Sequence, residues 1–233
     1  MRCLRAVRRL IVLRRLPVLL AVAAAGALAG IAACAPAPSL ITADVTRLDE
    51  PGPDSFVVHV VTSRGPFDIK VHRDWAPRGA DRIHYLMLAH YYDGVRFFRV
   101  VDKFVAQFGI NGDTTVSRVW RARRIDDDSA TRSNVRGTLS FAAGGKNTRT
   151  TQLFISYGDN SRLDATGFAV VAQVVDGIAV VDALHKGYGE GAPRGQGPEQ
   201  GRIGREGNAY LIKEFPLLDY IITARIAEEW RRR

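Results

Sequence analysis

Arg99 stands among aromatic residues in the stretch FFRVVDKFVAQFGINGD, Phe97 to Asp113, and a cation in that setting needs a reason. Arginine does not shed its proton, so seating it beside Phe97, Phe98 and Phe104 is costly unless the guanidinium faces a cleft and a partner holds its donors. Gln107 lies within reach along the chain and can accept from it. An arginine so placed can donate a charge-assisted hydrogen bond into an apolar pocket. The bland alternative is a surface arginine on a sheet wall that lays its stem over aromatic rings.

A second apolar tract with internal polar residues, LSFAAGGKNTRTTQLFIS from Leu139 to Ser156, weighs against that alternative. The spacing Phe-Arg-x-x-x-x-Phe-x-x-Gln, followed by this tract, resembles the active-site signature of the cyclophilins, the peptidyl-prolyl cis-trans isomerases. The resemblance implies catalytic roles for Arg99, Phe104 and Gln107. It implies a peptide-binding edge at Ala142, Ala143 and Gly144, a substrate hydrogen bonder in Gln152, and pocket walls in Phe154, Leu163 and Val105. The chain departs from the family where Arg162 replaces a tryptophan before Leu163-Asp164, and where a histidine is missing near Gly167, with Phe168 as its substitute.

The implied chemistry breaks no bond. Rotation about a peptide C–N bond has a barrier of about 18 to 20 kcal/mol, and X-Pro bonds populate both isomers. An apolar pocket would hold the proline ring while Arg99 donates to the prolyl nitrogen of the twisted amide, which is then bound better than either planar isomer. Proline-containing polypeptides are therefore the expected partners, and isomerisation assisting protein folding the expected activity. A peptide-binding module on the same fold, with activity faded through the altered wall, is the alternative.

The elements that would carry these residues read as strands. Val95, Phe97, Arg99 and Val101 alternate with Phe98 and Val100, which places Arg99 on the face of Phe97. From Phe104 to Phe108, the same period puts Phe104, Ala106 and Phe108 on one side and Val105 and Gln107 on the other. SFVVHVVTSRGPFDIKVHR reads as a hairpin turning at Ser63 to Pro66. Pro77 to Tyr92 has helical spacing, with Asp74 as a cap and Asp93-Gly94 as a stop, and Gly177 to His185 reads as a second helix. The family resemblance implies an all-β fold, a closed eight-stranded antiparallel barrel capped by two helices.

Gly187 to Tyr210 carries too many glycines and prolines for regular structure and reads as an insertion. A short helix over Ala209 to Phe215 and a closing strand over Leu218 to Ile226 follow it. The expected isomerase domain spans residues 54–229, preceded by a flexible tether over 34–53.

Residues 1–33 are of another kind. Six arginines and no acid precede an uncharged apolar run from Leu16 to Ala33, which ends in Ile31-Ala32-Ala33-Cys34. This reads as a secretory signal whose ending resembles the lipobox of bacterial lipoproteins, with Cys34 as the lipidated residue. An uncleaved anchor is the alternative. The expected location is the bacterial cell envelope, facing the periplasm and held to the membrane through lipid on Cys34.

The formal charge of the 233-residue chain is +9, from 33 basic and 24 acidic residues. Without the six arginines of the leader, 27 basic face 24 acidic residues, or +3. Arg118 to Arg124 is followed at once by Asp126 to Asp128, so this segment reads as a self-compensated surface loop, and no nucleic-acid partner is expected. Cys3 and Cys34 are the two cysteines, so the domain has no pair for a disulfide. The five histidines show no metal-ligand spacing, and no metal or cofactor is expected.

Overall fold

The computed structural model describes residues 37–42, 48 and 50–231; the leader and Cys34 lie outside the described residues. Its framework is one sheet of eight antiparallel strands: β1 Ser55–Thr62, β2 Gly65–His72, β3 Arg99–Val101, β4 Val105–Phe108, β5 Thr138–Phe141, β6 Leu153–Ser156, β7 Val170–Asp176 and β8 Ile221–Trp230. The spatial order is β3-β4-β6-β5-β7-β2-β1-β8. Ahead of the two edge strands the chain segments meet: Phe97 N–H donates to Asp219 at 2.9 Å, Ile221 N–H to Val95 at 2.9 Å, and Arg96 bridges Tyr220.

Strand periodicity explains the core. In β1, Phe56, Val58 and Val60 are buried while His59 is exposed; in β2, Phe67, Ile69 and Val71 are buried. Ser63 and Arg64 form the hairpin turn, with Thr62 paired to Gly65. These faces join Ala106, Phe108, Leu139, Phe141, Leu153 and Ile155 in one apolar cluster.

Four α-helices are present among the described residues: α1 Pro77–Leu88, α2 Thr114–Arg121, α3 Ile178–Asp182 and α4 Gln200–Glu214. α1 buries Ala80, Ile83, Leu86 and Met87 as its spacing predicts, but it stops at Leu88, short of Tyr92. The chain turns at His90, whose φ of 54° lies in the left-handed region. Asp74 does not cap it. Asp128 does so from a distant loop, accepting from Arg78 N–H at 3.0 Å and Gly79 N–H at 2.9 Å.

Four further expectations change. Arg118 and Arg121 belong to α2, not to a loop; Asp113 caps this helix by accepting from Thr115 N–H at 2.7 Å. α3 covers only the first part of the segment from Gly177 to His185. Within 187–210, the irregular coil ends at Glu199 and α4 takes over, running on through Ala209 with a break at Gly207, where φ is 63°. That break interrupts the apolar period, which is why the run of glycines reads as structureless. Within the segment expected to be a tether, the Leu40 carbonyl accepts from the Trp120 indole at 2.9 Å, and Leu40 and Leu48 pack on the core. No helix among the described residues is long and apolar enough to cross a membrane.

Candidate active site

Arg99 opens β3 directly opposite Gln107 of β4, and Gln107 is in turn opposite Phe154 of β6. Partners in register project to the same face of a sheet, so one row delivers a cation, an amide and an aromatic ring to one place. Arg99 Nη1 donates to Gln107 Oε1 at 3.0 Å, and Gln107 Nε2 donates to Gln152 Oε1 at 2.9 Å. Gln152 precedes β6 two residues before Phe154 and so reaches the same face.

Arg99 does not share the face of Phe97. Phe97 and Val100 are in the main core, whereas Arg99 lines a cavity and Phe98 joins a second apolar cluster. The alternation holds only from Arg99 onward, because β3 begins there.

Phe104 likewise departs from its expected place beside Ala106 and Phe108. It precedes β4, and Lys103 reverses the chain at a φ of 57°, so strand period does not extend back to it. Its carbonyl accepts from Tyr157 N–H at 2.8 Å and Asn160 Nδ2 at 2.9 Å. The ring thus held carries the Arg99 guanidinium at 5.3 Å and that of Arg162 at 4.9 Å.

The far wall comes from the 3₁₀ turn Ser161–Thr166, which supplies Leu163, and from Phe168 beyond it. Phe168 meets Phe154 edge to face, ring centroids 5.7 Å apart. Its carbonyl accepts from the buried Asn134 amide at 2.7 Å. Opposite lies the edge Ala142, Ala143 and Gly144. Ala142 N–H donates to Gln152 O at 2.9 Å and Gly144 N–H to Thr148 Oγ1 at 3.0 Å, which leaves the Ala143 amide as the donor of that edge.

All eleven residues singled out from the sequence in this domain therefore line one cavity of about 550 Å³. Thr148, Thr150, Glu190, Arg194 and Gln200 line it as well and are not signalled by the sequence motifs. Glu190 matters most. Arg99 Nε donates to its Oε1 at 2.6 Å and Nη2 to its Oε2 at 2.7 Å. The Arg99 hydrogen bonds hold the Glu190 carboxyl below its ordinary range. A largely buried guanidinium, 17% exposed, is thereby paired with a charge as well as with a neutral amide. An acid in a run of glycines and prolines has no periodicity to reveal it; the one available signal was that Arg99 lacked a charged partner.

Chemically, the cavity offers an oriented cation beside aromatic and aliphatic walls, a pair of linked amides and a free backbone edge. It suits an extended peptide with an apolar ring. A family model described as cyclophilin type peptidyl-prolyl cis-trans isomerase/CLD matches residues 57–202. The chain is 33% identical over 129 residues to peptidyl-prolyl cis-trans isomerase-like 3 of Mus musculus, covering 54% of this chain and 79% of the relative. It is 30% identical over 134 residues to a peptidyl-prolyl cis-trans isomerase of Acinetobacter baylyi, covering 55% of this chain and 71% of the relative. In fold it is similar to a cyclophilin type isomerase of Cryptosporidium parvum, with a TM-score of 0.56 at 19% identity, over 75% of this chain and 99% of that one.

Proposed function

The chain belongs to the cyclophilin-type peptidyl-prolyl cis-trans isomerases, and from that premise we propose that it turns X-Pro bonds of unfolded or extended envelope proteins, with Arg99 acting on the twisted amide. The observation that supports this is the setting of Arg99, a held guanidinium in a cavity with aromatic walls, beside Phe104.

Of the five guanidinium N–H groups, Glu190 and Gln107 occupy three, leaving one on Nη1 and one on Nη2 for a ligand. The proline ring fits among Phe104, Phe154, Leu163 and Phe168, while Val105 contributes to the floor. Gln152 spends its oxygen on Gln107 and keeps its amide hydrogens for a substrate carbonyl. When the amide twists, the prolyl nitrogen regains its lone pair and accepts from Arg99. That bond is absent in either planar isomer, so it lowers the barrier without tightening ground-state binding.

The site requires only acid-base-inert contacts from this chain: binding, orientation and one donated hydrogen bond. The apolar leader ending in Ile31-Ala32-Ala33-Cys34 supports placing the domain at the envelope, tethered by lipid on Cys34.

The test is turnover of a proline-containing tetrapeptide in a protease-free assay. Arg99→Ala should lower kcat roughly thirty- to a thousandfold, corresponding to about 2 to 4 kcal/mol of a preorganised charge-assisted bond. Peptide affinity and circular dichroism should stay near those of the wild type. Near-normal turnover by a folded Arg99→Ala protein would refute the assignment.

A further inference from the structure

We propose that Glu190 is a positioning residue for the isomerase reaction: its carboxylate, supplied by the coil before α4, fixes the plane in which the Arg99 guanidinium meets the twisting amide. This rests on the reading of Arg99 as the catalytic arginine.

The grip itself is the first support. Two parallel N–H to O contacts of 2.6 and 2.7 Å form a fork that sets direction as well as distance. Gln107 alone would hold Arg99 by one bond at 3.0 Å, about which the guanidinium can swing. With Glu190 on the Nε and Nη2 edge, the two hydrogens left for substrate are fixed in direction before the peptide arrives.

The coil is also built around Glu190. Its carbonyl accepts from Gly197 N–H at 2.9 Å, and its Oε1 accepts from Gly191 N–H at 3.0 Å. A Cβ on Gly195 would stand 2.3 Å from the Glu190 carbonyl oxygen, and one on Gly197 2.9 Å from it. A Cβ on Gly191 would stand 2.7 Å from Pro198 O. The glycines of this segment allow the chain to wrap tightly enough to hold one carboxylate.

Finally, the coil is moored to the strand it serves. Phe98, the residue before Arg99, packs with Ile203, Tyr210, Leu211 and Phe215 in the second apolar cluster, and Tyr188 meets Phe215 edge to face at 5.0 Å. β3 therefore carries Arg99 toward the cavity and has the helix that follows the coil packed against its preceding residue. Glu190 is held relative to Arg99 from both ends of the segment.

Two effects of the carboxylate oppose each other. It holds the donor in place, and its charge weakens the field that the guanidinium presents to the amide. Positioning predicts lower turnover when the carboxylate is lost, whereas a restraining latch predicts higher turnover.

The full-length protein with Glu190→Gln separates them. Glutamine keeps the size and packing but has one oxygen for two N–H donors, so the fork is broken while the coil stays filled. With the tetrapeptide substrate, kcat should fall about ten- to a hundredfold, as for a reacting group displaced by a fraction of an ångström. The peptide Kd should be unchanged, circular dichroism near pH 7 should show the native fold, and the Arg99 Nε–H signal in ¹⁵N NMR, expected to exchange slowly in the wild type, should broaden. Glu190→Ala should show the same fall. Adding Arg99→Ala to Glu190→Gln should cost nothing beyond Arg99→Ala alone. Unchanged or raised kcat in both Glu190 variants, or a loss confined to peptide Kd, overturns the proposal while leaving Arg99 in its role. Full activity in Arg99→Ala overturns both.

Discussion

Asp128 and Arg149 form an ion pair of 3.0 Å in which 1% and 2% of the two side chains are exposed. The same carboxylate caps α1 through Arg78 and Gly79, while Arg149 also donates to the Asp126 carbonyl and pairs with Asp127. One acid thus ties the first helix to the loop that runs from the peptide edge to β6. Asp128→Ala should lower stability by about 3 to 5 kcal/mol, because it leaves Arg149 buried without its nearest carboxylate. Urea unfolding would measure this; a loss under about 1 kcal/mol, the size of an exposed pair, would show that Arg149 escapes to solvent.

Gln107 stands between the arginine and Gln152, so Gln107→Ala should loosen both without removing a charge. A fall in kcat of about tenfold is expected, equivalent to about 1.4 kcal/mol, between those of wild type and Arg99→Ala. Gln152→Ala should instead raise KM, since its amide is assigned to binding. Steady-state kinetics that reverse these two patterns would exchange the roles.

Acidification gives an independent handle on Glu190. Its ordinary carboxyl value is 4.5 and the bonds from Arg99 lower it in the folded protein. The unfolded chain therefore binds this proton first as pH falls. The pairing contributes stability that is fully present above about pH 5 and is lost as the pH drops through the lowered folded value. Urea midpoints of wild type should converge on those of Glu190→Gln as the pH falls below about 5. Midpoints that keep a constant separation as the pH falls would mean that the pair does not form in solution.

The envelope assignment predicts covalent change at one position. Cys34 should be the lipid-bearing N-terminus of the native protein, and Cys34→Ser should accumulate as unprocessed precursor. Intact-mass measurement from the source membrane decides it: a native chain that keeps Met1, or a free Cys34 thiol, contradicts the assignment.

The parts of the fold legible in the sequence are those written in a single period. The β1–β2 hairpin follows from alternation around a Ser63-Arg64 turn, and the apolar positions of α1 from helical spacing. The residues brought to the cavity were legible as a set through the resemblance to the cyclophilin signature, and the in-register pairing of β3, β4 and β6 is what brings Arg99, Gln107 and Phe154 together. Local features failed where tertiary contacts take over. Asp74 is well placed in sequence to cap α1, yet the helix takes its cap from Asp128. Arg149, to which the sequence assigns no role, is held inside by three aspartates and a Phe141 ring 5.5 Å from its guanidinium. Phe104 lost its expected face to a single left-handed residue, Lys103.

With Glu190 as a positioning residue, the wrapping of the coil around its carbonyl enlarges the stretch of sequence in which one change should slow turnover. A methyl group at Gly195 meets that oxygen at 2.3 Å, although Gly195 itself lies outside the cavity lining. An alanine there must push the backbone of Glu190 aside, and the carboxylate with it. Sequence variation at Gly195 and Gly197 should accordingly be read as variation at the reaction centre, not as drift in a surface loop.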